Sequence, residues 1–492
     1  MTGPIAFDNS YARLPDRFFA RVEPTAVATP RLIKLNEALA RQLGLDPRWL
    51  VTHDGVEMLA GNYLPKGSEP VAMAYAGHQF GTFVPQLGDG RAILLGEVID
   101  KGGAHRDLHL KGSGPTPFSR RGDGRAALGP VLREYILSES FAALGIPTTR
   151  ALAAVTTGEV VLRETPLPGA VLTRVAASHI RVGTFQFFAA RGDVEGIRQL
   201  ADYVIARLYP EAADVPDRYR TLLDMVIGRQ ATLIAQWMSV GFIHGVMNTD
   251  NMSIAGETID FGPCAFMDSY DPATVYSSID RMGRYAYANQ PKIAQWNLAR
   301  LAECLLPLLS DNEEAARADA ISAIEAFPAA YEAAHLSRMR RKLGLLQSEP
   351  EDGALVNDLL DCMARNKADF TLTFRHLCDA AASPVSNAAV RTLFSDPVQF
   401  DEWAAKWRLR LSREHASTSE RAAMMRAVNP LFVARNHLVE EVIVAAVEHG
   451  DFAPFEALHT VLAKPFEDQP GAERYAAPPR PDQVVHATFC GT

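Results

Sequence analysis

The chain has 492 residues, 48% hydrophobic and 22% charged, with a net charge of −9, a composition that can bury a large core. The excess of acid excludes a general nucleic-acid binder, which needs a basic surface to neutralise phosphates, but not a local basic pocket for a small anion. No apolar run approaches the ~20 residues that span a bilayer, and five scattered cysteines show neither a CxxC pair nor zinc-like spacing.

The N-terminus, "MTGPIAFDNSYARLPDRFFARVEP", lacks a basic-then-apolar signal pattern and carries acids that a mitochondrial transit peptide avoids, so a cytoplasmic location is expected. Residues 1–70 mix short helical patterns with prolines and are expected to form an N-terminal extension. From 71 to 175 the texture is β-rich, a small lobe with strands at "RAILLGEVID", "RDLHLKG", "ALAAVTTGEVVLRE" and "GAVLTRVA". One helix interrupts it, "GPVLREYILSESFAALG", with Pro130 near its start and Gly145 as its stop. Residues 176–310 form a helical lobe around one conspicuous loop. Helical periodicity continues over 311–466, in stretches at 310–345, 352–380, 396–414 and 417–463. The tail, 467–492, is Pro-rich and expected to lack regular structure. Four cysteines read as thiols in a reducing compartment, whereas Cys490, in "TFCGT" on that tail, is a candidate redox site. There is no internal repeat.

The fold class expected is α+β. Strands, a helix, more strands and then helices follow the protein-kinase order, a small β-rich lobe before a large helical one with a nucleotide cleft between them, though the pattern alone leaves other α+β arrangements open.

The conspicuous loop is residues 244–262, "HGVMNTDNMSIAGETIDFG". His244 precedes Asn251 by the spacing of the kinase H-R-D-x-x-x-x-N loop, and Asp260-Phe261-Gly262 supplies D-F-G. "MSI" and "TID" predict a hairpin turning at Ala255-Gly256, which sets Asn251 opposite Asp260. Directly opposed side chains lie about 4.5–5.5 Å apart at Cβ, so an amide oxygen and a carboxylate could share one hard divalent cation. Taken alone, the hairpin reads as a surface ribbon with ordinary polar ends; the ordered motifs around it shift that reading. Where a kinase keeps its catalytic aspartate, this chain has Val246, which cannot accept a proton. Asp250, beside Asn251, is the remaining carboxylate.

In the β-rich part, "QLGDGRAILLGEV" places Gly88 and Gly90 at a tight turn where backbone N–H groups could approach a phosphate, although most such turns are plain hairpins. Lys111 ends a strand as the kinase β3 lysine does, its default reading being an exposed strand lysine. Glu134 shares a helical stripe with Leu137 and Phe141, and a carboxylate there needs a partner such as Lys111, unless it lies at a solvated edge. Arg91, Arg174 and Arg181, with Lys111, could offset most of a triphosphate's charge of about −4, though each alone reads as a salt-bridging surface residue.

The stretches "FDNSYARLP", "YAGHQFGTFVPQLGDGRA", "LKGSGPTPFSRRGDGRAAL", "HGVMNTDNMSI", "TIDFGPCAFMD" and "NPLFVARNHLVEEVI" resemble the selenoprotein O family, also called YdiU, from about residue 6 to the tail. That resemblance implies a pseudokinase fold that binds ATP in a flipped orientation and transfers AMP to hydroxyl side chains of proteins, itself included, with UTP as a further donor for some members. It implies Asp250 as base, Asn251 and Asp260 as ligands of Mg²⁺ or Mn²⁺, and Gly88, Gly90, Arg91, Lys111, Asp123, Gly124, Arg174, Arg181 and Asp260 around the nucleotide, with Glu134 pairing Lys111. It also implies redox regulation at the C-terminus. Family members often carry two serines after the terminal cysteine or selenocysteine; here Gly491 and Thr492 follow Cys490, and Cys264 is the nearest cysteine in sequence to the D-F-G segment.

Overall fold

Side-chain alternation fixes the centre of the molecule. The computed structural model describes residues 5–383 and 387–489, so Cys490 lies outside the described residues. Its strands, in chain order, are β1 (Phe19–Arg21), β2 (Arg31–Leu35), β3 (Val71–Met73), β4 (Gly77–Gln79), β5 (Thr82–Val84), β6 (Ala92–Ile99), β7 (His105–Lys111), β8 (Ala126–Ala127), β9 (Arg150–Leu162), β10 (Pro166–Ala176), β11 (Phe242–Ile243) and β12 (Ala265–Phe266), the last two paired with each other. One antiparallel sheet runs β1-β3-β6-β7-β10-β9-β2, with β8 added to β10, while β4 and β5 form a separate hairpin. Neighbouring residues of one strand enter different apolar clusters: Leu94 and Leu172 one, Leu95 and Val171 the other. Successive strand side chains point to opposite faces, so this sheet is buried on both.

One face is covered by the first 70 residues. Helices at Glu37–Gln42 and His53–Ala60 place Leu39 and Leu59 against Leu95, Leu108 and Val171, while β1 and β2 occupy the ends of the strand order. The other face receives α1 (Leu128–Ala143), which packs on β9 and β10 with Leu132, Tyr135 and Ile136 buried. Pro130 stands in its first turn, where a missing N–H costs no helical hydrogen bond, and Gly145 follows its C-cap. Beyond the sheet come α2 (Val182–Ala189), α3 (Arg218–Ser239) and α4 (Gln290–Leu309). The C-terminal end of α3 sets the conspicuous loop: the Trp237 indole N–H donates to Thr258 Oγ1 at 2.9 Å, and its ring stacks on His244 with centroids 5.4 Å apart. The later helical stretches resolve into separate helices, among them Glu313–Glu325, Phe327–Lys342, Pro397–Leu411 and Asn436–His449. Among the described residues no helix is long and apolar enough to cross a membrane.

Two expectations fail here. The hairpin of 252–260 does not form, although the turn at its tip does, with Gly256 N–H donating to Ser253 O. Its two arms pair elsewhere: Met252 O and Ile254 N–H bond to Val182 and Ile180, whereas Thr258 bonds through N–H and O to Pro147 and Thr149. Other segments supply better-placed backbone partners than the arms offer each other, and the Ala-Gly turn is a weak hairpin former. The tail is likewise ordered in part. Glu473–Ala476 is a helical turn, and Thr488 forms a parallel bridge with Ser277.

Thr488 is 2% exposed. Its N–H donates to Tyr276 O at 2.7 Å and its hydroxyl to Pro263 O at 2.6 Å, immediately after Asp260-Phe261-Gly262. Thr488→Val keeps the shape and deletes the hydroxyl bond, leaving Pro263 O short of a buried donor. Urea denaturation should show a loss of about 1 kcal/mol, and limited proteolysis should cut the 480s faster than in the parent.

Candidate functional site

A cavity of about 780 Å³ lies between the sheet's β6–β7–β10 end and the 244–262 loop. The sequence-predicted residues Gly88, Gly90, Arg91, Lys111, Asp123, Gly124, Arg174, Arg181, Asp250, Asn251 and Asp260 all line it. Glu134 sits behind this lining, where the Lys111 ammonium donates to its Oε2 at 2.5 Å. The sheet register explains the cluster: Lys111 pairs with Leu172 and His109 with Arg174 across β7 and β10, so His109, Lys111 and Arg174 share a face.

Asp260 is the hub. Lys111 Nζ donates to its Oδ1 at 3.1 Å, Arg174 Nη1 to the same oxygen at 2.6 Å, and Arg181 Nη1 to Oδ2 at 2.9 Å. Burial opposes ionisation, but Lys111, Arg174 and Arg181 outweigh it and hold this carboxyl well below the usual range. The backbone here is left-handed, φ 61°, a region that Asp tolerates better than most residues. Arg181 also donates to Asp250 O at 2.7 Å and lies 4.6 Å over the Tyr75 ring.

Asp250 is in a different state. Gln79 Nε2 donates to its Oδ2 at 3.2 Å, and Oδ1 is buried without a hydrogen-bond partner. Burial pushes the carboxyl up to about 6, a more basic carboxylate than an exposed one. Oδ1 occupies the space that glycine leaves at position 77, since a Cβ there would stand 2.5 Å from it. The 3-10 turn Thr249–Asn251 carrying Asp250 is pinned from the hairpin: His78 N–H donates to Thr249 Oγ1 at 2.7 Å and Phe80 N–H to Asn248 Oδ1 at 3.1 Å. Val246 does no acid–base work; its carbonyl accepts from Asn251 Nδ2 at 2.9 Å, leaving the Asn251 amide oxygen as that side chain's acceptor.

Other expectations are met in part. Asp123 lines the cavity, but Arg163 Nη1 donates to it at 2.8 Å and it caps Arg125 N–H at 2.9 Å, so its carboxylate also anchors its own loop. The room left by Gly88 is filled by the Phe118 ring, 2.3 Å from where its Cβ would stand, so close packing of the 116–119 loop needs this glycine whether or not a phosphate does. Residues that the sequence reading gave no role are Gln79, Tyr75 and the pair Asp89–His109. Arg174 Nη2 lies 3.1 Å from His109 Nδ1, and His109 Nε2 lies 3.1 Å from Asp89 Oδ2. The guanidinium can only donate, so Nδ1 accepts and Nε2–H donates to Asp89, which makes this His a neutral spacer holding Arg174. Its burial lowers its basicity in keeping with that.

The donor set suits a hard divalent cation in company. Among the described residues no group of three or more His, Cys, Asp and Glu could hold a metal by itself. One carboxylate, Asp260, and one amide oxygen, Asn251, are the kind of partial ligand set that magnesium-like ions complete with waters and phosphate oxygens.

A sequence model of the family described as "Protein adenylyltransferase SelO" matches residues 4–463. The chain is 65% identical over 492 residues to a protein of Bradyrhizobium sp. strain BTAi1 named "Protein nucleotidyltransferase YdiU", with the whole of both chains covered. Proteins of the same name from Methylorubrum extorquens strain PA1 and Rhodopseudomonas palustris strain CGA009 are 66% and 62% identical, again over the full length of each.

His109→Leu strands a buried guanidinium N–H and the Asp89 carboxylate together. It should destabilise the protein by about 3 kcal/mol in urea denaturation, whereas His109→Asn, which can still accept from Arg174, should lose measurably less.

Proposed function

The chain belongs to the SelO family of protein adenylyltransferases, and on that premise we propose that this cleft moves AMP from ATP to Ser, Thr or Tyr hydroxyls of proteins, itself among them, with UTP as an alternative donor. The observation that carries the reading is the state of Asp250: a buried carboxylate raised to about 6, one oxygen held by Gln79 and the other without a partner. Such a group is a poised general base. Asp250 takes the proton of the acceptor hydroxyl as that oxygen attacks the α-phosphorus. A phosphorus–oxygen ester bond forms, the bond between the α-phosphorus and its bridging oxygen breaks, and pyrophosphate leaves.

Lys111, Arg174 and Arg181 would grip the phosphates, and guanidinium forks suit that task. Gly88, Gly90, Arg91, Asp123 and Gly124 would enclose the rest of the nucleotide. Asn251 and Asp260 would hold Mg²⁺ or Mn²⁺, which supplies neutralisation of phosphate charge and alignment of the leaving group. The two-lobe arrangement proposed is the protein-kinase one, with the β-rich sheet as the small lobe and the helices from 176 onward as the large one. Binding the nucleotide flipped brings the α-phosphorus, not the γ, to Asp250.

ATP labelled at the α-phosphate should label protein in the presence of Mg²⁺ or Mn²⁺, and ATP labelled at the γ-phosphate should not. Label moving only from the γ position would overturn the reading in favour of a kinase with a relocated base. Asp250→Asn should lower α-label transfer by a factor of about 10²–10⁴ with ATP affinity largely kept, and Asp260→Ala should abolish metal-dependent transfer while the protein stays folded.

A further inference from the structure

The cleft has an apolar rim that neither the nucleotide nor the reaction at phosphorus accounts for. Residues 280–285 form a tight turn built around Asp280, which is buried and accepts from Arg284 N–H at 3.0 Å and Tyr285 N–H at 2.7 Å. This turn holds Met282 out at 92% exposure, and the adjoining Ile279, 63% exposed, lines the cavity mouth. Thr488 bridges Ser277, which brings Phe489, 73% exposed, to the same edge. A large apolar side chain fixed outward by a rigid turn costs solvation without contributing to the core, and such patches mark binding surfaces. Methionine adapts to varied partners.

The rim is tied to the base. The Tyr285 hydroxyl donates to Asn248 Oδ1 at 2.6 Å, the same oxygen that accepts from Phe80 N–H, and Asn248 stands two residues before Asp250. The tip of the β4–β5 hairpin touches the turn, with the Arg284 guanidinium 3.6 Å from the Cβ position of Gly81. Asp250 sits against that hairpin, and Ile279 lines the same cavity as Asp250, so the patch stands at the mouth of the cleft that holds the base. Arg120, Arg125 and Arg163, which also line the cavity, suit the polyanionic nucleotide. Arg281 is exposed at the tip of the turn and has no ion pair or hydrogen bond among the described residues.

We propose that Ile279, Met282 and Arg281 form the docking surface for the acceptor polypeptide, seating a segment that carries an apolar residue beside the modified hydroxyl and an acidic residue for Arg281. The inference rests on the nucleotidyltransfer reading. Its test uses short synthetic peptides with a central Tyr, flanked in one by Leu and Asp and in the other by Gly and Lys, with α-labelled ATP. The parent protein should prefer the Leu/Asp peptide. Met282→Glu should raise the KM for it by about tenfold, a loss typical of one good apolar anchor, with the KM for ATP and self-labelling unchanged. Arg281→Glu should shift the preference toward the Gly/Lys peptide. Label on the protein itself with neither peptide preferred, or a peptide KM unmoved in both variants, would overturn the docking surface and leave nucleotidyl transfer standing. A self-association constant, or binding to anionic vesicles, that Met282→Glu abolishes while peptide KM stays fixed would assign the patch to a second copy or a membrane and overturn it as well. No α-label on any protein or peptide would overturn both readings.

Discussion

The structure around the cleft depends on one carboxylate, Asp260, shared by three cations that come from separate elements: Lys111 from β7, Arg174 from β10 and Arg181 from the N-cap of α2. Arg174 and Arg181 are almost wholly buried, and a buried charge without a partner is among the costliest defects a fold can carry. Glu134 on α1 contributes the second anion, contacting both Lys111 and Arg174. The sheet, α1, the start of α2 and the 244–262 loop are therefore locked to one another by mutual neutralisation. Lys111, Arg174 and Arg181 carry +3 and Glu134 and Asp260 −2, and the Asp89 carboxylate behind the neutral His109 brings the cluster to zero.

Asp260 cannot serve a divalent cation at full strength while three cations compete for its two oxygens. A polyphosphate arriving with its metal offers those cations new anionic partners and offers Asp260 a more highly charged one, so both exchanges favour each other. Neither ligand alone would make the trade well: the bare ion would meet a carboxylate already held by three cations, and the bare polyphosphate a carboxylate still in place.

Much of this was legible in the sequence, and the illegible parts have physical reasons. The Lys111–Glu134 pair could be read because a strand end and a helical stripe each fix one side chain, and because an acid on an apolar stripe demands a partner. Asn251 and Asp260 line one cavity, but not across the hairpin that the sequence pattern suggests; backbone pairing of 252–258 with 180–182 and 147–149 sets the course of the chain between them. Those partners lie outside the local pattern, and periodicity carries no information about them. Gln79 escaped notice for the same reason, since it meets Asp250 across 171 positions of sequence. His109 looked like an ordinary strand residue, and only the register of β7 against β10 reveals it as the support of Arg174. The order in the tail could not be read from its proline content, because it comes from Thr488 finding backbone acceptors at Pro263 and Tyr276.

Val246 shows how the loop could lose the usual aspartate without losing its shape. Its N–H lies 3.3 Å from His244 Nδ1 and its carbonyl receives the Asn251 amide, so the backbone of this residue, not its side chain, organises the turn. A side chain at 246 is free to be apolar as long as some other carboxylate meets the acceptor. Asp250, four residues along, is the carboxylate proposed for that need; it is packed against the β4–β5 hairpin, and burial raises its basicity against the opposing pull of Arg181. In the proposed reaction the two carboxylates divide the work: Asp260 would manage charge on the phosphate side, and Asp250, shielded behind Gln79 and Gly77, would manage the proton on the acceptor side.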